Sequence, residues 1–345
     1  MPVEYLVGLV LIVALTFDFV NGFHDASNSI ATIVATRVLT PRQAVAWAAF
    51  FNVMAAFVFN TGVAATVGNG LIDLGHVTLP VILSGLLAAT LWGLITWRFG
   101  MPSSSSHALI GGYAGAALMG YAQTAGWDHA TDILIAHGWY RTLMFIILAP
   151  LIGMSLGGML QEMVHYLFKN KTHEKQDKIF GRVQLLSSAF LSLSHGGNDA
   201  QKTAGVIAGA LVTAGYFDHF EVPLWVLFCC YGVIGLGTLF GGWRIVETMG
   251  HQLTRLRPMS GVCAETAAAT SIMLATLLHL PVSTTQATTG AILGTGAARN
   301  VKAVRWYVAG RIVIAWILTI PMAGLLGAGF VFVFKRLLES PALPV

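Results

Sequence analysis

Apolar stretches long enough to cross the hydrocarbon core recur from one end of this 345-residue chain to the other, and only 10% of its residues are charged. A spanning helix takes about 20 residues, and a soluble domain usually carries roughly 25% charged residues, so a water-facing surface cannot be built from this sequence. Within a bilayer each backbone polar group must be bonded internally, which long apolar runs achieve as helices. No polar stretch is long enough for a separate soluble domain. The expectation is one all-α membrane domain of about 10–12 transmembrane helices, some broken or re-entrant.

Candidate spans cover residues 3–20, 43–67, 80–97, 102–122, 141–168, 184–213, 222–243, 259–279, 282–297 and 306–334. The amino-terminal Met1-Pro2-Val3-Glu4 lacks the basic region of a cleaved signal, so the first helix is expected to be retained. Basic residues gather in alternate connections: Arg37 and Arg42, then Arg98, then Lys169 to Arg182, then Arg244, Arg255 and Arg257, then Arg299, Lys302 and Arg305. The positive-inside rule places these in the cytoplasm. The intervening connections 68–79, 123–140 and 214–221 contain acids but no Lys or Arg, and so face outside. Both termini then lie outside as well, a placement with which Lys335 and Arg336 disagree. The scattered basic residues form no stripe of the kind nucleic acid requires. Cys229, Cys230 and Cys263 lie in apolar segments without CxxC spacing and read as packing residues.

The two halves of the chain resemble one another. Asn21-Gly22-Phe23-His24-Asp25-Ala26-Ser27-Asn28-Ser29 matches His195-Gly196-Gly197-Asn198-Asp199-Ala200-Gln201-Lys202-Thr203 at an offset of 174. Ser84-Gly85 matches Ser260-Gly261 at 176, and Pro102-Ser103-Ser104-Ser105-Ser106-His107 matches Pro281-Val282-Ser283-Thr284-Thr285-Gln286 at 179. Arg141 with Pro150 also matches Arg311 with Pro321. An odd number of crossings per half turns the second copy upside down, which is the inverted-repeat plan of secondary transporters, with ligands held near the midplane. The expected division is a first repeat over 1–168, a cytoplasmic connecting loop over 169–183 and a second repeat over 184–345.

Asp25 and Asp199 lie in apolar stretches, where a carboxylate costs at least ~2.5 kcal/mol. Amides and hydroxyls surround them, including Asn28 and Asn198, and the neighbouring glycines suggest that the helices unwind to offer carbonyl oxygens. Such oxygen sets suit a proton or a hard cation. Pro102 and Pro281 should each end one segment and start another at mid-membrane. Ser103, Ser104, Ser105 and Ser106, and Ser283, Thr284 and Thr285, then present hydroxyls beside unpaired N–H groups at the positive end of a helix, a cradle for an oxyanion. A dianion moving against 100 mV is opposed by about 4.6 kcal/mol, so co-transported cations are expected.

These motifs resemble those of the inorganic phosphate transporter (Pit) family: Gly22-Phe23-His24-Asp25-Ala26-Ser27-Asn28 and His195-Gly196-Gly197-Asn198-Asp199 look like its duplicated signature, and Leu280-Pro281-Val282-Ser283-Thr284-Thr285 like its second. The resemblance covers essentially the whole chain and implies symport of phosphate with H+ or Na+, with no further cofactor. It places Ser103 to Ser106, Ser283, Thr284 and Thr285 at phosphate, and Asp25, Asn28, Asn198 and Asp199 near the cation sites, with Glu265 where the family carries an intramembrane Glu. His24 and His107 are candidate proton relays. Gln286 stands where the family often has His, Lys202 where sodium-coupled relatives commonly have Asn, and Asn52 where they have Glu. A lysine ammonium could fill the space of one sodium ion, so the sequence resembles the bacterial proton-coupled branch, which takes phosphate or a neutral metal-phosphate complex across the plasma (inner) membrane. A homodimer is left open.

Blander readings compete. Asp25 and Asp199 could merely form structural ion pairs, with Lys202 an obvious candidate, the hydroxyl runs could be interhelical glue, and Asn52 with Asn60 suits helix–helix bonding. Gly153-Met154-Ser155-Leu156-Gly157 fits the GxSxG pattern but lies inside an apolar helix, where small-residue packing is expected. An intramembrane hydrolase built on Ser106-His107 and His24-Asp25, a channel, and a sulfate permease are the alternative functions. Phosphate keeps a proton at neutral pH and can donate to Asp25 or Asp199, whereas sulfate can only accept, which favours phosphate.

Overall fold

The structure, a computed structural model, describes residues 2–339. Its helices are α1 (Val3–Ala35), α2 (Pro41–Met54), α3 (Gly62–Asn69), α4 (Leu79–Arg98), α5 (Ser105–Ala125), α6 (Ala136–Phe168), α7 (His173–Thr213), α8 (Leu224–Phe240), α9 (Trp243–Glu247), α10 (Pro258–Leu277), α11 (Thr284–Arg299) and α12 (Trp306–Glu339). Among the described residues, α1, α4, α6, α10 and α12 are long and apolar enough to cross a membrane. The α2–α3 pair, bent by 85°, and the segment running from α8 through α9, bent by 64°, qualify as broken spans. Helices α5, α7 and α11 also form where spans were expected, but polar motifs on their buried faces lower their apolar character.

Two apolar layers enclose a polar belt. One gathers Val10, Ala14 and Phe17 of α1 with Leu71, Ile82, Ile133, Ile207 and Ile234. The other gathers Ile30 and Ile33 of α1 with Val45, Leu191, Leu253, Ile272 and Ile292. The first layer lies toward the acid-bearing connections, where Ile72 bridges Leu134 and the Trp139 indole donates to the Leu71 carbonyl. The second lies toward the basic connections, where Arg244 donates to the Arg98 carbonyl, Arg299 to that of Arg255, and Arg257 pairs with Asp177. Phe334 and Lys335 line a cavity with His76 and Pro80, so the end of α12 lies on the acidic face, as the topology reading required despite its charge.

Two expectations are corrected. The connection expected over 169–183 is helical from His173, because the Gln176 amide bonds the carbonyls of Phe168 and Lys171 and closes the turn early. The glycines beside the two aspartates do not unwind their helices: α1 and α7 run unbroken through both motifs. A Cβ at Gly22 would meet the Ile234 backbone, and one at Gly196 the Asn52 backbone, so these glycines bring helices close together. Gly153 and Gly157 of α6 likewise abut Ala287 and Ala291 of α11, while Gly111 and Gly115 of α5 abut Ile320 and Gly324 of α12. Helix α6 thus packs on α11 and α12 on α5, each an element of one half against an element of the other.

Candidate functional site

The polar belt is centred on two helix starts. After α4 the chain turns at Gly100, whose φ is +63°, runs extended through Pro102 and enters α5 at Ser105. After α10 it turns at His279, whose φ is +60°, passes Pro281 and enters α11 at Thr284. Each proline thus stands in the linker between two helices, ending one segment ahead of the start of the next. The caps are alike: Ser104 Oγ accepts from the His107 N–H at 3.1 Å, and Ser283 Oγ from the Gln286 N–H at 3.2 Å. Those two hydroxyls therefore cap their helices through an oxygen lone pair. The N–H groups of Ser105, Ser106, Thr284 and Thr285 precede the first intrahelical bonds, made by Ala108 and Ala287, and stand at the positive helix ends.

The two aspartates meet these starts from the other side. Asp25 accepts from Ser105 Oγ and from Thr285 Oγ1 at 3.3 Å, and lies 2.8 Å from His24 Nδ1. Asp199 accepts from Thr284 Oγ1 at 3.2 Å and pairs with the Lys202 ammonium, with His195 Nε2 at 3.2 Å. Lys202 also donates to Ser106 Oγ and to the Val282 carbonyl at 2.7 Å. Asn28 Nδ2 bridges Thr284 Oγ1 at 3.2 Å and Thr285 Oγ1 at 3.0 Å. Ligand atoms of Asp25, His195 and Asp199 all lie within 4.8 Å of one another. Each half thus holds its partner's helix start, and every one of these side chains is buried. Two carboxylates so close need positive charge between them, supplied here by Lys202 and available from a proton or a hard cation.

Other candidates lie around this centre. Ser103 donates to Thr96 Oγ1 at 2.8 Å and lies 3.4 Å from His24 Nε2, one step behind Asp25. Asn198 braces the α10–α11 linker, donating to Thr276 Oγ1 and the Leu280 carbonyl. Glu265 stands apart, accepting from Thr32, Gln184 and Ser187 on α1 and α7. His107 is buried with neither ring nitrogen bonded, and Asn52 bonds Thr238 and His195 between helices. Ser106 Oγ turns to the Val282 carbonyl. Sequence reasoning missed Asp18, buried on α1, although its spacing of seven residues from Asp25 put it on the same helix face. On the basic face a cavity of about 510 Å3, lined by Arg98, Arg244 and Arg311, reaches Pro102.

Residues 21–327 match the profile of the phosphate transporter family. The chain belongs to the phosphate transporter family. It is 52% identical over 324 residues to a probable low-affinity inorganic phosphate transporter of Rhizobium meliloti (strain 1021), covering 94% of each chain. It is 43% identical over 334 residues to a protein of the same description from Bacillus subtilis (strain 168), covering 95% of this chain and 97% of the relative. A solved structure described as the sodium-dependent phosphate transporter superposes with a TM-score of 0.83 at 25% identity, over 96% of this chain and 99% of the other. Membership of this family makes the chain a multi-pass membrane transporter of phosphate and not an enzyme, which removes the hydrolase alternative.

Proposed function

We propose that this protein imports inorganic phosphate across a bacterial plasma membrane in symport with protons, by alternating access between two inverted repeats that exchange their packing partners. Phosphate is taken free or as a neutral metal-phosphate complex, and binds where the starts of α5 and α11 converge. Free N–H groups and the hydroxyls of Ser105, Ser106, Thr284 and Thr285 then donate to its oxygens in place of the carboxylates or, for Ser106, of the Val282 carbonyl. Its remaining proton donates to Asp25 or Asp199, which is where sulfate, an acceptor only, is rejected.

The coupling choice is carried by Lys202. Its ammonium takes oxygens from Asp199, Ser106 and Val282, as a resident monovalent cation would. A fixed cation there leaves protonation of the carboxylates to neutralise the travelling anion. The arginines lining the basic-face cavity support release toward the cytoplasm, where the positive-inside rule places them.

The test is uptake by purified protein in liposomes with phosphate, sulfate, sodium and pH varied separately. Uptake driven by an inward proton gradient without sodium, and competed weakly by sulfate, is expected. Uptake that collapses on sodium removal at fixed pH would overturn the coupling choice, and equal uptake of sulfate would overturn the selectivity argument.

A further inference from the structure

Asp18 is fully buried in α1, two helical turns and about 10 Å before Asp25. Its hydrogen bond is from Thr203 Oγ1 to Oδ1, at 2.7 Å, and its Oδ2 has no donor. Among the described residues, no Lys, Arg or His stands at ion-pair distance from it. The adjacent Lys202 directs its ammonium away, to Asp199, Ser106 and Val282. The titratable groups facing Asp18 are Asp199 from α7 and Cys230 and Tyr231 from α8, with His24 and Asp25 farther along α1 itself.

Positions 18, 21, 25 and 28 share one face of α1, and along it the side-chain carbonyls of Asn21 and Asn28 also lack donors. A buried acceptor left unsatisfied costs about 1–3 kcal/mol, so a line of them is retained for something positive. Asp18 heads that line on the side of the acidic connections, within the layer formed by Ala14, Phe17 and Ile207. An ionised carboxylate there would be unpaired and repelled by Asp199, whereas a carboxylic acid can remain.

We infer that Asp18 is a second proton-carrying acid of the transport cycle, loaded from the acidic face and discharging along this face of α1 toward Asp25. Its proton passes to the Asp25 carboxylate, and the unpaired carboxylate left at Asp18, repelled by Asp199, takes up the next proton from the acidic face. This rests on the proton-symport reading.

The test compares native protein with Asp18→Asn and Asp18→Glu in sodium-free liposomes. Two rates are read: phosphate accumulation under an inward gradient of one pH unit, and counterflow of labelled phosphate without a gradient. One pH unit is about 1.4 kcal/mol per proton, or about tenfold accumulation. Native protein and Asp18→Glu are expected to accumulate phosphate, while Asp18→Asn exchanges it at near-native rate without accumulating. Accumulation by Asp18→Asn to the native level would overturn the inference while leaving proton symport intact. Loss of counterflow together with accumulation in Asp18→Asn would assign the residue to packing and also overturn it. Native protein that ignores the proton gradient would refute the symport reading, and this inference with it.

Discussion

Asn28 and Lys202 occupy the same place in the two copies of the aspartate motif, yet they treat their carboxylates differently. Lys202 bonds its own Asp199 and makes a buried ion pair with it. Asn28 leaves Asp25 alone and bridges Thr284 and Thr285 of the opposite half. Asp25 is held instead by the Ser105 and Thr285 hydroxyls and by His24. In the proposed cycle the Lys202 ammonium keeps Asp199 neutralised, while Asp25, held by hydroxyls and His24, responds to a proton or to phosphate.

That contrast is broken most severely at the ion pair. Removing either partner strands the other as a buried charge, so Asp199→Asn and Lys202→Ala should each cost about 3–5 kcal/mol, read by unfolding of the purified protein. Asp199→Asn combined with Lys202→Ala should be more stable than the two single costs added together imply, and strict additivity would show that the two do not act as a pair. Asp25→Asn should lose about 1–2 kcal/mol of stability, since hydrogen bonds and not a lysine are removed, while proton-driven uptake falls to background. Ser105→Ala and Thr285→Ala each remove one donor and should raise the KM for phosphate about tenfold, near 1.5 kcal/mol, with the fold unchanged. The smallest effect belongs to the half-exposed Arg257–Asp177 pair: Arg257→Gln should change stability by about 1 kcal/mol or less and leave uptake unaltered.

Much of this site is legible in the sequence because membrane burial makes polar residues expensive, and expensive residues that occur twice are informative. The proline-led hydroxyl runs announce Ser105 and Thr284 as helix starts, since the residue before a proline resists helix and a serine caps it. Sequence alone does not separate the capping hydroxyls of Ser104 and Ser283 from those of Ser105 and Thr285 one or two places later, because phase on a helix decides which faces Asp25. The glycines beside Asp25 and Asp199 invite a reading as unwound backbone, yet a glycine serves close helix approach equally well, and only the neighbour at Ile234 or Asn52 tells which. Asp18 escapes a search for repeats because its counterpart in the second half, Ser192, carries no charge. The partners of Glu265, Thr32 and Gln184, are invisible for a different reason: they come from α1 and α7, far away in sequence.

The most direct measurement is a structure of the protein with phosphate bound, determined in lipid nanodiscs. One phosphate should lie between the starts of α5 and α11, within hydrogen-bond distance of donors from both Ser105–Ser106 and Thr284–Thr285. Phosphate held by one helix start alone, or lodged away from Asp25 and Asp199, would contradict a shared site at the meeting of the two halves.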